Sequence, residues 1–225
     1  MLAGPYAFTG RVRPVTGIHN TYQLVRQKNG HMSKKIDINE NDLSVLALFT
    51  GGYDREYYIR EISTVLPLSH GTAQTILERF EKKLVLASTL KGKTRIFRIK
   101  PGEIAVQYFI LAEQYKKIAF MEERPYETEV LNRIDPFTDG ITLVFGSYAK
   151  GTETQESDLD LLVAGHCDEE KISRVGKMFD KEISIHRFAE DVFLKNDPRD
   201  TLLIEAKKHH IVWKNPDRFV REVVR

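Results

Sequence analysis

The run Val144–Phe145–Gly146–Ser147, followed after a polar loop by Asp158–Leu159–Asp160–Leu161–Leu162–Val163, constrains this chain more than any other stretch. One hydrophobic strand ends in Gly-Ser, and a second opens with carboxylates at i and i+2. Residues two apart in a strand point the same way, so Asp158 and Asp160 leave one side while Leu159 and Leu161 leave the other. Carboxylates held side by side repel, so the arrangement calls for a cation. Oxygen-only ligands suit magnesium or manganese. Gly146 lets a phosphate approach the backbone, and the Ser147 hydroxyl can donate to it. A phosphate cradle beside a divalent-metal clamp equips a chain for phosphoryl or nucleotidyl transfer. Gly-Ser alone or Asp-x-Asp alone is common; the two together, each on a hydrophobic strand, are far more specific. The competing reading is a solvated strand edge.

A chain of 225 residues allows one large domain or two small ones. Its 41% hydrophobic and 29% charged content is that of a globular chain. No apolar run approaches the roughly 20 residues a membrane span needs, and Arg11 and Arg13 are not followed by a signal core. Cys167 is the single cysteine, which excludes an internal disulfide framework. A cytoplasmic protein is expected. The net charge of +2 hides an asymmetry: residues 1–100 carry 16 Lys/Arg against 8 Asp/Glu, whereas residues 136–225 carry 14 against 17. The basic end suits a polyanion, the acidic end a metal site.

Residues 1–40 show poor periodicity and are expected to be poorly ordered or to form a short strand around Tyr22, Leu24 and Val25. Met32–Ser33 reads like a second start, which would make 1–31 an upstream extension. Residues 41–100 read as one module: a helix capped by Asp42 and ended by Gly51–Gly52, a second over 57–66, and a third opened by Ser69. Two strands follow at 84–88 and 94–99, turning at Lys91–Gly92. A helical linker spans 101–135, its long helix patterned by Ile104, Val106, Tyr108, Leu111 and Tyr115. Residues 136–225 read strand (141–145), loop, strand (159–163), helix (168–179), strand (182–186), helix (189–195), with a helical tail over 198–210 and a last turn near Phe219. The fold class is α+β: an N-terminal winged helix, a long linking helix, and a small mixed β-sheet flanked by helices.

Three helices and a two-stranded wing resemble the DNA-binding domains of many prokaryotic regulators. In that arrangement the third helix enters the major groove. Its exposed early positions include Thr72, Gln74 and Thr75. Gln pairs with adenine, and Thr meets polar edges or a thymine methyl. Arg79 and Lys82 lie later on the helix, and Lys91, Lys93 and Arg95 lie on the hairpin, where phosphate contact is easier. Double-stranded DNA is the expected nucleic acid. A dimerisation or docking module is the alternative, and a homodimer is among the expectations.

The acidic half resembles the minimal nucleotidyltransferase branch of the DNA polymerase beta-like superfamily, over roughly residues 136–225. That signature is Gly-Ser, an Asp-x-Asp about ten residues later, and a third acidic residue on a neighbouring strand. Here Gly146–Ser147 and Asp158–Leu159–Asp160 are complete. The resemblance implies that Gly146 and Ser147 hold the triphosphate of a nucleotide, with ATP expected, and that Asp158 and Asp160 bind magnesium or manganese. It also implies a third carboxylate that completes the acceptor-side ion and helps as general base. This chain departs there. Ser184 occupies the best-framed position, between Ile183 and Ile185, while Glu182 and His186 share its face. Glu182 is the candidate third ligand from one step earlier; an exposed strand-start carboxylate is its plain alternative. Lys150 reads either as a phosphate contact or as a solvent-facing lysine.

The leading expectation is a magnesium-dependent enzyme moving a nucleoside monophosphate onto an unidentified hydroxyl of a protein, small molecule or RNA. Some minimal members of that family act as antitoxins that adenylylate a helical partner, so a protein acceptor belongs among the expectations. The alternative is a transcription regulator that binds DNA and senses nucleotide without turnover.

Overall fold

The protein is described by a computed structural model over residues 36–195 and 199–224. The expectations for Tyr22, Leu24, Val25 and the Met32 start lie outside the described residues, as does Pro198. Helix α1 (Glu40–Thr50) is capped by Asn39, three residues ahead of the expected Asp42. The Asn39 side chain accepts from the Asp42 backbone N–H, and the Asp42 carboxylate accepts from that of Asn39, a reciprocal box. Asp42 is fully buried and also meets Arg79.

The single helix expected over 57–66 divides into β1 (Tyr57–Tyr58) and α2 (Ile59–Val65). Tyr57 and Tyr58 are drawn into pairing with Phe97 and Ile96, and the Tyr57 ring lies edge-on to Phe49. Sheet pairing and burial outweigh local helical preference there. Helix α3 (His70–Lys82) starts as the sequence predicts: the Ser69 hydroxyl accepts from the Thr72 N–H, and Ala73, Ile76, Leu77 and Phe80 turn inward. Strands β2 (Leu86–Lys91) and β3 (Thr94–Ile99) form an antiparallel hairpin. Its two-residue turn is Gly92–Lys93, one position later than expected, with Gly92 at φ +64°. Strand β2 starts late because Leu84, exposed and at φ +61°, turns the chain out of α3.

Helix α4 (Glu103–Glu123) is the spine against which α1 packs. Its inward face is Ala105, Val106, Phe109, Ala112, Glu113 and Phe120. The expected pattern mixed two faces, since Ile104 and Leu111 are half exposed. Helix α5 (Pro125–Ile134) and one 3-10 turn lead into β4 (Thr138–Val144). The remaining order is α6 (Gly146–Lys150), β5 (Leu159–Cys167), α7 (Glu169–Met178), β6 (Ile183–Phe188), α8 (Glu190–Lys195), α9 (Thr201–Lys208), β7 (Ile211–Lys214) and α10 (Pro216–Val223).

The sheet order is β6-β5-β4-β7, with β5 and β6 parallel and the other pairs antiparallel, so the sheet is mixed as expected. Strand β7 was not anticipated: the sequence placed a helical tail up to 210 and no strand after it. Trp213 and Phe219 are buried, as packing residues of this end should be. One sheet face sends Leu143, Leu162, Ala164 and Val212 into a core shared with α4 and α10; the other sends Val144, Leu161, Val163 and Trp213 toward α5 and α7.

An ionic cluster crosses this architecture. Glu113 of α4 is fully buried and accepts from Tyr53 Oη at 2.6 Å, His210 Nε2 at 3.0 Å and Lys116 Nζ at 2.9 Å. Lys116 also donates to Thr50 Oγ1 at 2.9 Å. Burial pushes the Glu113 carboxyl upward, but the Lys116 and His210 charges, with the bonds from His210 and Tyr53, hold it below the usual carboxylate range. Burial and then the Lys116 charge push His210 down, against the pull of Glu113, to which its Nε2 donates. Its buried Nδ1 has no partner among the described residues. The cluster joins the end of α1, the middle of α4 and the start of β7.

Candidate functional site

Strand β4 ends by delivering Phe145 to β5, where the Phe145 N–H donates to the Asp160 carbonyl at 3.1 Å. The chain then turns at Gly146, φ +68°, into α6. Gly-Ser therefore opens a short helix instead of the expected loop. Glycine is required at 146 on two grounds. Its backbone is left-handed, and a Cβ there would lie 2.0 Å from Asp160 Oδ2. The Gly146 backbone thus sits directly against the Asp160 carboxylate, across two strands and thirteen intervening residues of sequence.

The segment between α6 and β5 is tied down at several points. Arg124 Nε donates to Glu153 at 2.6 Å, and the Thr154 N–H donates to Ser157 Oγ at 2.9 Å. Lys181 Nζ reaches the Ser157 carbonyl at 2.6 Å and also bonds the Tyr148 hydroxyl, lying 4.7 Å from that ring's centroid. Tyr148 in turn contacts Glu127. Sequence reasoning missed Arg124, Glu153 and Lys181 as positioning residues. Their partners are distant in the chain, and no local signal marks them.

Asp160 continues the row of Leu162 and Ala164 on one sheet face, as the period-two reading of β5 requires. Burial, opposed by His186 and assisted by Asp158, raises the Asp160 carboxyl above its ordinary value. Neither the Asp158 nor the Asp160 carboxylate makes a hydrogen bond or ion pair among the described residues. Two mutually repelling carboxylates with no bonded counter-charge, the His186 imidazole acting only from a distance, fit a hard divalent cation beside the Gly146 backbone.

The neighbouring strand supplies no third carboxylate at this level. The parallel register sets Ser184 against Asp160 and His186 against Leu162. Ser184 Oγ and His186 Nε2 are 3.2 Å apart, and the His186 ring stands edge-on to Phe145 at 5.4 Å. Glu182 lies ahead of β6, exposed, with its carbonyl accepting from the Leu159 N–H at 2.9 Å. Glu182 and Asp158 help line a cavity of about 560 Å3 with Lys177, Asp180 and Lys181. Gly146, Ser147 and Asp160 are not in its lining. Among the described residues no three His, Cys, Asp or Glu side chains gather closely enough to hold a metal ion by themselves. Lys150 is ion-paired with Glu205 of α9.

In the basic module, Thr72, Gln74 and Thr75 are exposed on α3, with Lys82 exposed at its end and Lys91 and Lys93 exposed on the hairpin. Arg79 and Arg95 are engaged by the chain itself. Arg79 meets buried Asp42; Arg95 pairs with Glu81 and Glu78 and donates to Ser88 Oγ at 2.8 Å. Both guanidinium groups thereby hold elements together, α1 to α3 and α3 to the hairpin.

Comparison with known proteins agrees with the acidic half. Residues 129–223 match the family described as Nucleotidyltransferase domain. No curated protein matches the chain. Among solved structures, AF1382 from Archaeoglobus fulgidus is 24% identical, covering 38% of this chain and 91% of its own, at a TM-score of 0.31. The archaeal chromatin protein TrmBL2, whose structure shows a novel mode of DNA binding, is 14% identical, covering 84% of this chain and 75% of its own, at a TM-score of 0.26. No helix among the described residues is long and apolar enough to cross a membrane.

Proposed function

We propose that the chain is a magnesium-dependent nucleotidyltransferase that moves a nucleoside monophosphate from a nucleoside triphosphate, ATP in the first instance, to a hydroxyl acceptor. The observation that carries this reading is the seating of Gly146 against the unpaired Asp160 carboxylate, within residues matched by the nucleotidyltransferase family. Asp158 and Asp160 would hold a divalent cation, which would neutralise charge on the triphosphate and the departing pyrophosphate. A magnesium site built from two carboxylates, completed by substrate phosphates and water, is an ordinary arrangement. Gly146 leaves room for phosphate, and the Ser147 hydroxyl donates to it. The acceptor oxygen bonds to the α-phosphorus as the bond to pyrophosphate breaks. With Ser184 facing Asp160, the hydroxyl proton falls to His186 on the same face, or to Glu182 one step earlier. Comparing His186→Ala with Glu182→Ala separates the two.

A second reading rests on that same Ser184, which stands against Asp160 where a third carboxylate was expected. In it the site binds nucleotide with little turnover, and the signal passes to DNA. In both readings residues 41–100 act as a winged helix. It places Thr72, Gln74 and Thr75 against base edges and Lys82, Lys91 and Lys93 against phosphates. The deciding experiment measures magnesium-dependent nucleotide binding, then transfer of labelled nucleotide to components of a cell extract. Pyrophosphate release with a labelled acceptor supports the enzyme. Tight binding without release, coupled to DNA affinity, supports the sensor. Metal-dependent binding that survives D158N/D160N defeats both.

A further inference from the structure

Helix α4 carries two apolar stripes, and among the described residues only one is buried. Ala105, Val106, Phe109, Ala112 and Phe120 are buried. On the opposite side Ile104, Leu111 and Ile118 are 50%, 46% and 53% exposed. They recur every seven residues, the period of a helix–helix seam. Their flanks on that face, Gln107, Tyr108, Gln114 and Tyr115, are uncharged. The charged residues between Glu103 and Glu122 are Glu113, Lys116 and Lys117. All three bond inward: Glu113 and Lys116 in the buried cluster, Lys117 to the Trp213 carbonyl at 2.6 Å. This exposed stripe, two heptads long, carries no charge of its own in a chain that is 29% charged, with Lys83 beside Tyr108 and Glu40 beside Tyr115 at its edges, which is the composition of an interface core with a polar rim.

We propose that this face is the interface of a homodimer in which two copies of α4 lie antiparallel across a two-fold axis at Leu111. An isologous contact needs a self-complementary patch, and the stripe is one. Reversal about Leu111 sets Ile104 against the other copy's Ile118. It also brings the end bearing Lys100 beside the end bearing Glu122. Both are exposed, and neither forms an ion pair among the described residues. A parallel pairing would set Glu122 against Glu122. The opposite signs at the two ends therefore select the antiparallel orientation, as does the antiparallel alignment of two helix dipoles.

The test uses the full chain in sedimentation velocity and in disulfide trapping with a mild oxidant. The unmodified protein should run at twice its 26.0 kDa monomer mass at micromolar concentration. Leu111→Glu should weaken association ~30-fold or more, the loss of a central anchor. Its target is surface-exposed, so the thermal transition should be kept. Leu111→Cys should trap a covalent dimer, whereas Ile104→Cys alone should not, and mixing Ile104→Cys with Ile118→Cys should. A chain that stays monomeric at about 100 µM, well above specific protein affinities, overturns the proposal. So does a Leu111→Glu protein that remains fully dimeric. Trapping by Ile104→Cys alone overturns the antiparallel arrangement.

Discussion

Glu113 and Asp160 are both carboxylates withdrawn from water, and the chain treats them in opposite ways. Around Glu113 it gathers a lysine, a tyrosine hydroxyl and an imidazole, from α4, the loop after α1 and the residue before β7. Around Asp160 it places a second carboxylate, a glycine backbone and a more distant imidazole, His186, with no hydrogen bond or ion pair to either carboxylate among the described residues. A buried charge must be paired or it destabilises the fold. The first carboxylate is therefore complete within the chain. The second is half-buried, tolerated in that state, and open to a cation from outside. Perturbed groups occur in both architecture and active sites. Whether the chain supplies the counter-charge tells them apart here.

The largest effect should come from breaking the open pair. D158N/D160N should lower nucleotidyl transfer by about three powers of ten or more, the worth of several kcal/mol of metal-assisted stabilisation. The fold should not weaken, because a repulsion is removed, so the urea midpoint should hold or rise. Glu113→Ala should do the reverse in the same urea titration. It strands Lys116 in the interior and should cost about 3–5 kcal/mol. If the double asparagine variant unfolds while Glu113→Ala does not, the comparison fails.

Gly146→Ala stands between the two. Its methyl group collides with Asp160 and its backbone is held at φ +68°, so it should lose both stability, about 1–3 kcal/mol, and nucleotide binding. Isothermal titration and a melt on one sample measure both.

Acid should find the closed cluster first. His210 is held below its ordinary 6.5, so the unfolded chain takes up that proton before the folded one. Stability should therefore fall as pH drops below about 6.5, and His210→Gln should flatten that part of the curve. Glu113 is held below 4.5; its contribution is present above that value and is lost at lower pH. Urea midpoints between pH 8 and pH 2 for the unmodified chain, His210→Gln and Glu113→Ala check both signs.

The smallest effect concerns the basic module. Lys91→Ala should reduce the salt dependence of DNA binding by about one unit of slope with little change in stability. Arg95→Ala should instead cost stability, since it unties the hairpin from Glu78 and Glu81.

Much of the site was legible because its logic is local. The two-residue repeat of a strand put Asp158 and Asp160 on one face in the sequence, although β5 itself begins only at Leu159. A glycine before a serine at a strand end advertises a backbone that something must approach. Ser69 and the spacing of Ala73, Ile76, Leu77 and Phe80 similarly announced α3. Strand β7 was missed because Ile-Val-Trp-Lys is too short to distinguish from a helix end until β4 offers its free edge. Tyr57 and Tyr58 were taken into a helix because their partners, Phe97 and Ile96, lie far along the chain. Arg79 and Arg95 looked like free cations for the same reason.

The sequence by itself determined which residues can carry charge together and which can approach a phosphate, since strand period, glycine freedom and side-chain chemistry act over a few residues. Tertiary structure alone decided which of those charges are left without a partner. His210 lies 97 residues from Glu113, and Gly146 meets Asp160 only when two strands lie side by side. Pairing depends on distance in space, and a linear order of residues does not contain that distance.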